Sequence, residues 1–240
     1  MKNVIVLVLV LVAAAAVNAE VLYQDNFDSY TADWATTLGS QNSDWNGYGA
    51  DNIVKFASWA PGRAVFSNGY WGDNTLRQSF VDVGVSDYTV SVEAWQYSTY
   101  TMEWYATARA TDDQYIAAGV VAATDGEGNY QVYAKIIDST GYASGDYWLA
   151  TWDTASAINI SLTVEGEDVV ASFEHAGLTQ QITATTTILE GANAGFGGKY
   201  QWDYPIGNFD NFEVESVPEP ASLALLGLGG LLIRRKNKKV

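Results

Sequence analysis

The sequence predicts an all-β protein, an antiparallel two-sheet jelly-roll sandwich, on three observations. Apolar and polar residues alternate with a period of two through much of residues 20–216, as strands with one buried and one wet face do. Turns rich in glycine and acid separate these runs. Residues 115–123 are apolar on both parities, which calls for cover on both faces and favours two stacked sheets over one open sheet. About a dozen strands are expected, and no self-repeat points to a propeller or solenoid.

Taken in order, residues 1–19 open with one cation, Lys2, continue as an apolar run from Val4 to Val17, and close on Val17, Asn18 and Ala19. This is the pattern of a secretory signal peptide, expected to be helical and cut before Glu20. The run is shorter than the ~20 residues a membrane-spanning helix needs. Residues 20–216 are then one domain, the exported sandwich.

That domain holds six basic residues, Lys55, Arg63, Arg77, Arg109, Lys135 and Lys199, against 27 acidic ones, for a formal charge of −21. Nucleic acid is excluded as a partner, because phosphate binding needs clustered Lys and Arg. Anionic membrane surfaces are disfavoured for the same reason. Neutral glycans, cations and basic surfaces remain open. Without cysteine there are no disulfides and no thiol chemistry, so a packed core must hold the domain together.

The strands follow from the alternation. Tyr88, Val90, Val92 and Ala94 share one face, as do Met102, Trp104, Ala106 and Ala108; Val132, Ala134 and Ile136; and Ile158, Ile160, Leu162 and Val164. Asp125, Gly126, Glu127, Gly128 and Asn129 form one expected hairpin turn, and Glu165, Gly166, Glu167 and Asp168 another. Neither has the alternating oxygen ligands of an EF-hand loop.

If these apolar sets face the core, the other parity places Glu93, Trp95 and Tyr97, then Glu103, Tyr105 and Arg109, then Tyr133 and Lys135 on the opposite side. Three strands are thus expected to present one surface of aromatic rings, acids and bases. Such a surface suits sugars, whose C–H faces stack on rings while their hydroxyls need donors and acceptors. Cross-strand pairing in an ordinary sheet also favours exposed Tyr and Thr. Loop tryptophans Trp148 and Trp152, between Asp146 and Asp153, are a second candidate lining.

Catalysis has less support. Glu93 and Glu103 would serve as acid and base only if they stood roughly 5 to 10 Å apart. The single histidine, His175, lies in an expected loop before Gly177, so a histidine triad or a multi-histidine metal site is not expected. No cofactor is required, and the expectation is a protein that is not an enzyme.

The chain closes on Val217, Pro218, Glu219 and Pro220, an apolar run over residues 221–233, and the cluster Arg234, Arg235, Lys236, Asn237, Lys238 and Lys239. The prolines end the preceding fold. Thirteen residues make a helix of about 20 Å, short of the ~30 Å hydrocarbon core, and the basic end is the kind held on the cytoplasmic side during export. Pro-Glu-Pro, short apolar helix and basic terminus together resemble the PEP-CTERM sorting signal of Gram-negative bacterial exported proteins. The resemblance implies export by the Sec machinery, transient association with the inner membrane through residues 217–240, cleavage by an exosortase, and delivery to the cell surface or an exopolysaccharide matrix. Such a tail is an address and not a lasting anchor.

A second resemblance spans the middle. Asp25-Asn26-Phe27-Asp28-Ser29-Tyr30, Leu162-Thr163-Val164-Glu165-Gly166, Ala194-Gly195-Phe196-Gly197-Gly198 and the closing Asn208-Phe209-Asp210-Asn211-Phe212 are similar to landmarks of concanavalin-A-like, laminin-G-like domains. It implies that the first and last strands lie side by side. It also implies a structural calcium with Asp25, Asp28 and Asp210 as candidate ligands; solvated turn carboxylates are the other reading. The Glu-x-Asp-x-x-Glu signature of laminarinase-like hydrolases is missing. The leading expectation is therefore a surface-exported sandwich that binds polysaccharide. A glycoside hydrolase or lyase and a purely structural matrix or adhesion protein are the alternatives.

Overall fold

The computed structural model describes residues 19–30, 38–47, 54–56, 63–66, 76–96, 102–111, 113–124, 130–151, 156–199 and 207–217. The chain divides into two units, Val21–Glu215 and a second made of Met1–Glu20 with Ser216–Val240. In the second unit the Ser216 N–H donates to the Glu20 carbonyl at 2.8 Å, and the Glu20 N–H donates to Ser216 Oγ at 2.9 Å. The expected signal helix, the C-terminal hydrophobic helix, and Pro218, Glu219, Pro220, Arg234, Arg235 and Lys236 lie outside the described residues, as do Tyr97 and Trp152.

The described elements are strands apart from one helical turn, Leu38–Gln41. In chain order they are β1 (Val21–Asp25), β2 (Asn46–Gly47), β3 (Val54–Phe56), β4 (Ala64–Phe66), β5 (Arg77–Asp82), β6 (Tyr88–Gln96), β7 (Met102–Ala108) and β8 (Ile116–Thr124). They continue with β9 (Tyr130–Asp138), β10 (Tyr147–Thr151), β11 (Ile158–Glu165), β12 (Asp168–His175), β13 (Leu178–Thr185), β14 (Asn193–Lys199) and β15 (Gly207–Ser216). The first sheet has the order β13-β12-β11-β6-β15-β4-β3, with β1 also paired to β15; the second runs β10-β9-β8-β7-β14-β5-β2. Among the described residues, β7, β8, β9, β11 and β12 pair antiparallel with their neighbours. The first and last strands are neighbours, with Asp25 opposite Phe212.

One core lies between the sheets. Tyr88, Val90, Val92 and Ala94 of β6 and Ile158, Ile160, Leu162 and Val164 of β11 enter it from one side; Trp104, Ala106, Val120, Ala134 and Ile136 enter from the other. Each large aliphatic side chain so buried contributes about 1.5–3 kcal/mol. β8 is buried on both faces, Ala117 and Ala118 alike, in keeping with its unbroken apolar run. At one end an aromatic cluster forms around Trp45, with Phe196 at 5.2 Å and Phe212 at 4.9 Å between ring centroids.

The expected single surface across three strands does not form. β6 belongs to the first sheet, whereas β7 and β9 belong to the second. Their apolar faces meet the same core from opposite sides, so Glu93 and Trp95 leave the molecule on one side and Glu103, Tyr105, Tyr133 and Lys135 on the other. His175 is also placed differently from expectation: it ends β12, is buried, and its Nδ1 lies 3.1 Å from the Ala157 carbonyl.

Candidate functional site

The outer face of the second sheet gathers five residues singled out by sequence. Register fixes them in rows, because directly paired residues of a sheet project to the same side. One row crosses five strands as Lys199, Glu103, Val121, Tyr133 and Trp148. The next holds Gln78, Gly197, Tyr105, Gly119 and Lys135. The first row spans about 19 Å, four strand spacings of ~4.8 Å.

Glycine makes room in the second row. A Cβ on Gly119 would stand 2.1 Å from Tyr105 Cδ1, so the phenol ring lies over that glycine and across β8. Its hydroxyl donates to Glu103 Oε2. The same oxygen meets Lys135 Nζ at 3.0 Å. The ammonium groups of Lys135 and Lys199 stand 5.8 and 6.0 Å from the Tyr105 ring centroid, within cation–π range. Burial, reinforced by the Glu103 carboxylate, pushes the Tyr105 phenol far above its ordinary value. Burial lowers the Lys199 ammonium, Lys135 adding to that while Glu103 opposes it.

Tyr105 is fully covered, while Glu103 and Lys135 keep 21% and 15% of their side chains accessible. The open end of the row is aromatic. Trp148 is 53% exposed and its Nε1 donates to Gln131 Oε1 at 2.9 Å, which fixes one edge and leaves ring surface free. Tyr133 is half-buried beside it. Ring surface and a charged hydrogen-bonding pair thus share one face.

The remaining candidates go elsewhere. Arg109, just past the end of β7, is fully buried at φ 49°. Its guanidinium donates to the carbonyls of Ser86 at 2.9 Å, Gly166 at 2.8 Å and Ile188, and to Asp87 Oδ1 at 2.8 Å. It therefore clasps backbone and offers nothing to a ligand. Glu93 borders a groove of about 400 Å³ on the first sheet with Ser91, Asn159, Ser161 and Glu174. Trp95, also on β6, has the Arg63 guanidinium 4.1 Å from its ring centroid. The pair Glu93 and Glu103, offered by sequence as acid and base, is separated by the whole thickness of the sandwich.

The residues proposed for calcium do not fit a shared ion. Asp25 Oδ1 accepts the Phe27 N–H at 2.9 Å, and Oδ2 accepts Trp45 Nε1 at 3.0 Å and the Tyr30 hydroxyl. Asp28 accepts Asn26 Nδ2 at 3.0 Å. Asp210 accepts the Asn211 N–H at 2.8 Å and lies 3.8 Å from Arg63 Nε; burial pushes its carboxyl up, with the Asn211 N–H opposing. Among the described residues no three His, Asp or Glu side chains are grouped to hold a metal ion. Asp25 instead anchors a cleft of about 630 Å³ lined by Tyr23, Tyr30, Asn42, Asp44 and Glu213.

Lys199 and Gln131 are site neighbours that sequence reasoning missed. The segment 193–199 reads as a glycine-rich stretch, yet its parity, with Gly195, Gly197 and Lys199 on one side and Ala194 and Phe196 on the other, was a strand signal.

Comparison with known proteins bears on the two ends of the problem. Residues 216–236 match the PEP-CTERM protein-sorting motif. The chain is an exported protein sorted to the cell surface. No curated protein matches it. Among solved structures, the xylan beta-1,4-xylosidase of Bacillus halodurans C-125 superposes with a TM-score of 0.57 at 13% identity over 80% of this chain and 39% of its own. Bacteroides ovatus xyloglucan PUL GH43B gives 0.56 at 13% over 81% and 39%. The CBM2 module of the Lactobacillus casei BL23 phage J-1 evolved Dit gives 0.54 at 9% over 83% and 96%. The chain thus spans about two fifths of the first two proteins and nearly all of the third. At such identities the likeness is one of fold, the β-sandwich jelly roll.

Proposed function

We propose that the sorted protein is processed by an exosortase in a Gram-negative-type bacterium, after brief tethering to the inner membrane through its C-terminal segment. On release it displays a non-catalytic sandwich that binds neutral polysaccharide at the outer face of the second sheet. The observation that supports this reading is the row holding Trp148, Tyr133 and Glu103, with Lys135 of the adjacent row ion-paired to Glu103. A sugar ring can stack on the indole while neighbouring hydroxyls bond the carboxylate and ammonium, with little ordering cost because the sheet is rigid. Two of the domain's six cations stand here, so the patch is shielded from the acidic field of the rest.

The test is titration of soluble glycans, with xylan and xyloglucan included because proteins of similar fold carry those names. Binding is expected to weaken at least ~10-fold in Trp148→Ala and in Tyr133→Ala, the scale of losing one stacked ring, and to be unchanged in Trp95→Ala on the other sheet. Absence of binding at millimolar glycan, or loss confined to Trp95→Ala, would reject the site. Release of reducing ends would establish an enzyme instead.

A further inference from the structure

Among the described strands five lie at edges of the two sheets, and four of them are poor templates for further pairing. β1 has five residues, and its register shifts between Val21 and Tyr23. β2 has two residues and β3 has three. β10 has five, and its register shifts between Trp148 and Ala150. β13 is different. All eight of its residues pair with β12 in unbroken register, and among the described strands nothing pairs with its other side.

Nor is β13 guarded. Its sequence, Leu-Thr-Gln-Gln-Ile-Thr-Ala-Thr, contains no Lys, Asp, Glu, Arg or Pro, the residues that commonly blunt an edge. Thr179, Gln181, Thr183 and Thr185 are exposed, and among the described residues the one side-chain hydrogen bond made by the strand runs from Gln180 Nε2 to the Gln181 carbonyl at 3.0 Å. In a chain of net charge −16, most surfaces of two copies repel one another. An uncharged eight-residue edge is a place where they can meet without setting like charges opposite.

We propose that β13 pairs antiparallel with β13 of a second copy, joining their first sheets into one continuous sheet. Antiparallel partners project to the same side, so a one-residue slip would turn core-facing residues outward. The two-fold axis must therefore pass through a residue. With the axis at Gln181, Thr179 stands opposite Thr183, Gln180 opposite Ile182, and Leu178, otherwise 46% exposed, opposite Ala184. Moving the axis to Ile182 would put Leu178 opposite Thr186, which lies beyond the end of the strand. At the Gln181 register the acids stay apart as well. Glu174, opposite Thr179 on β12, continues across the junction to Thr183 and Val170 of the other copy, not to an acid.

Because the chain has no cysteine, the register can be read by cross-linking. In the full chain under mild oxidation, Gln181→Cys is expected to give a dimer that reductant separates. Thr185→Cys is expected not to, since the two copies of that position would lie about 26 Å apart at ~3.3 Å per residue. By sedimentation Gln181→Lys should be monomeric at concentrations where the unaltered chain is dimeric. A monomeric unaltered chain, equal cross-linking of both cysteine variants, or a Gln181→Lys dimer as tight as the original would overturn the proposal. The glycan face lies on the other sheet, so failure of one reading leaves the other standing.

Discussion

Gly119 carries more of the candidate site than any single ligand-facing side chain, because its missing Cβ is where the Tyr105 ring rests. In Gly119→Ala the new methyl would also approach the Trp104 carbonyl to 2.4 Å, and rigid backbone cannot yield as a side-chain tip can. Overpacking of this kind costs typically 1–3 kcal/mol, so the variant should lose at least that much in denaturant unfolding. It should also displace the ring from Glu103. Arg109 governs a second residue-scale effect. Its guanidinium is fully buried and occupies three backbone carbonyls, the Ile188 bond being buried with it. Arg109→Met keeps the bulk and removes the donors, leaving the buried Ile188 carbonyl unpaired at ~1–3 kcal/mol and losing the bonds to Ser86, Gly166 and Asp87 besides. A large fall in unfolding free energy is expected with no direct effect on glycan binding, and a loss below ~1 kcal/mol would contradict the clasp.

Elements in this fold are specified locally and assembled at a distance. The hairpin from β11 to β12 turns on Gly166 at φ 54°, and the Gly166 N–H donates to Asp87 Oδ1 at 3.2 Å. Gly166→Ala should cost about 1 kcal/mol through backbone strain alone, measurable as a lower midpoint with an unchanged slope in urea. Alternation made β6, β7, β9 and β11 legible to within a residue or two at their ends. It also named Glu103, Tyr105, Tyr133 and Lys135, whereas Trp148, expected in a loop, lies in β10. Period two says which residues share a face of a strand but not which sheet the strand joins, so Glu93 and Trp95 were grouped with partners on the far side. Arg109 was misassigned because the chain turns into the left-handed region just after Ala108, where strand parity no longer applies.

At the scale of the molecule, tyrosines set the alkaline limit. Burial, with Asp25 adding to it, pushes Tyr23 up to about 12, and burial raises Tyr30, Tyr88, Tyr105 and Tyr115 as well. A phenol whose folded value lies above its unfolded ~10 holds its proton more tightly when folded. That stability is present below about pH 10 and is lost as pH rises through the folded values. Burial also raises Asp210 and Glu213, and their contribution is present in acid and lost as pH rises through their folded values. Unfolding free energy should therefore decline as pH rises above the ordinary carboxylate range of about 4 and fall again above about pH 10. A protein most stable at pH 11 would contradict this arrangement.

By itself the sequence determined that this chain is built of strands, which residues of each strand face inward, and, through its terminal motif, that the protein is exported and sorted. These are properties of neighbouring residues, written in a two-residue period and in the order of a proline motif, an apolar run and basic charges. Only the tertiary structure decided which strands are neighbours. Strands as far apart in sequence as β7 and β14, or β1 and β15, find one another through hydrogen-bond register and a shared core, and neither leaves a local mark. That pairing put five of the expected residues on one face, sent Glu93 and Trp95 to the opposite sheet and Arg109 to the interior, and left β13 open at an edge.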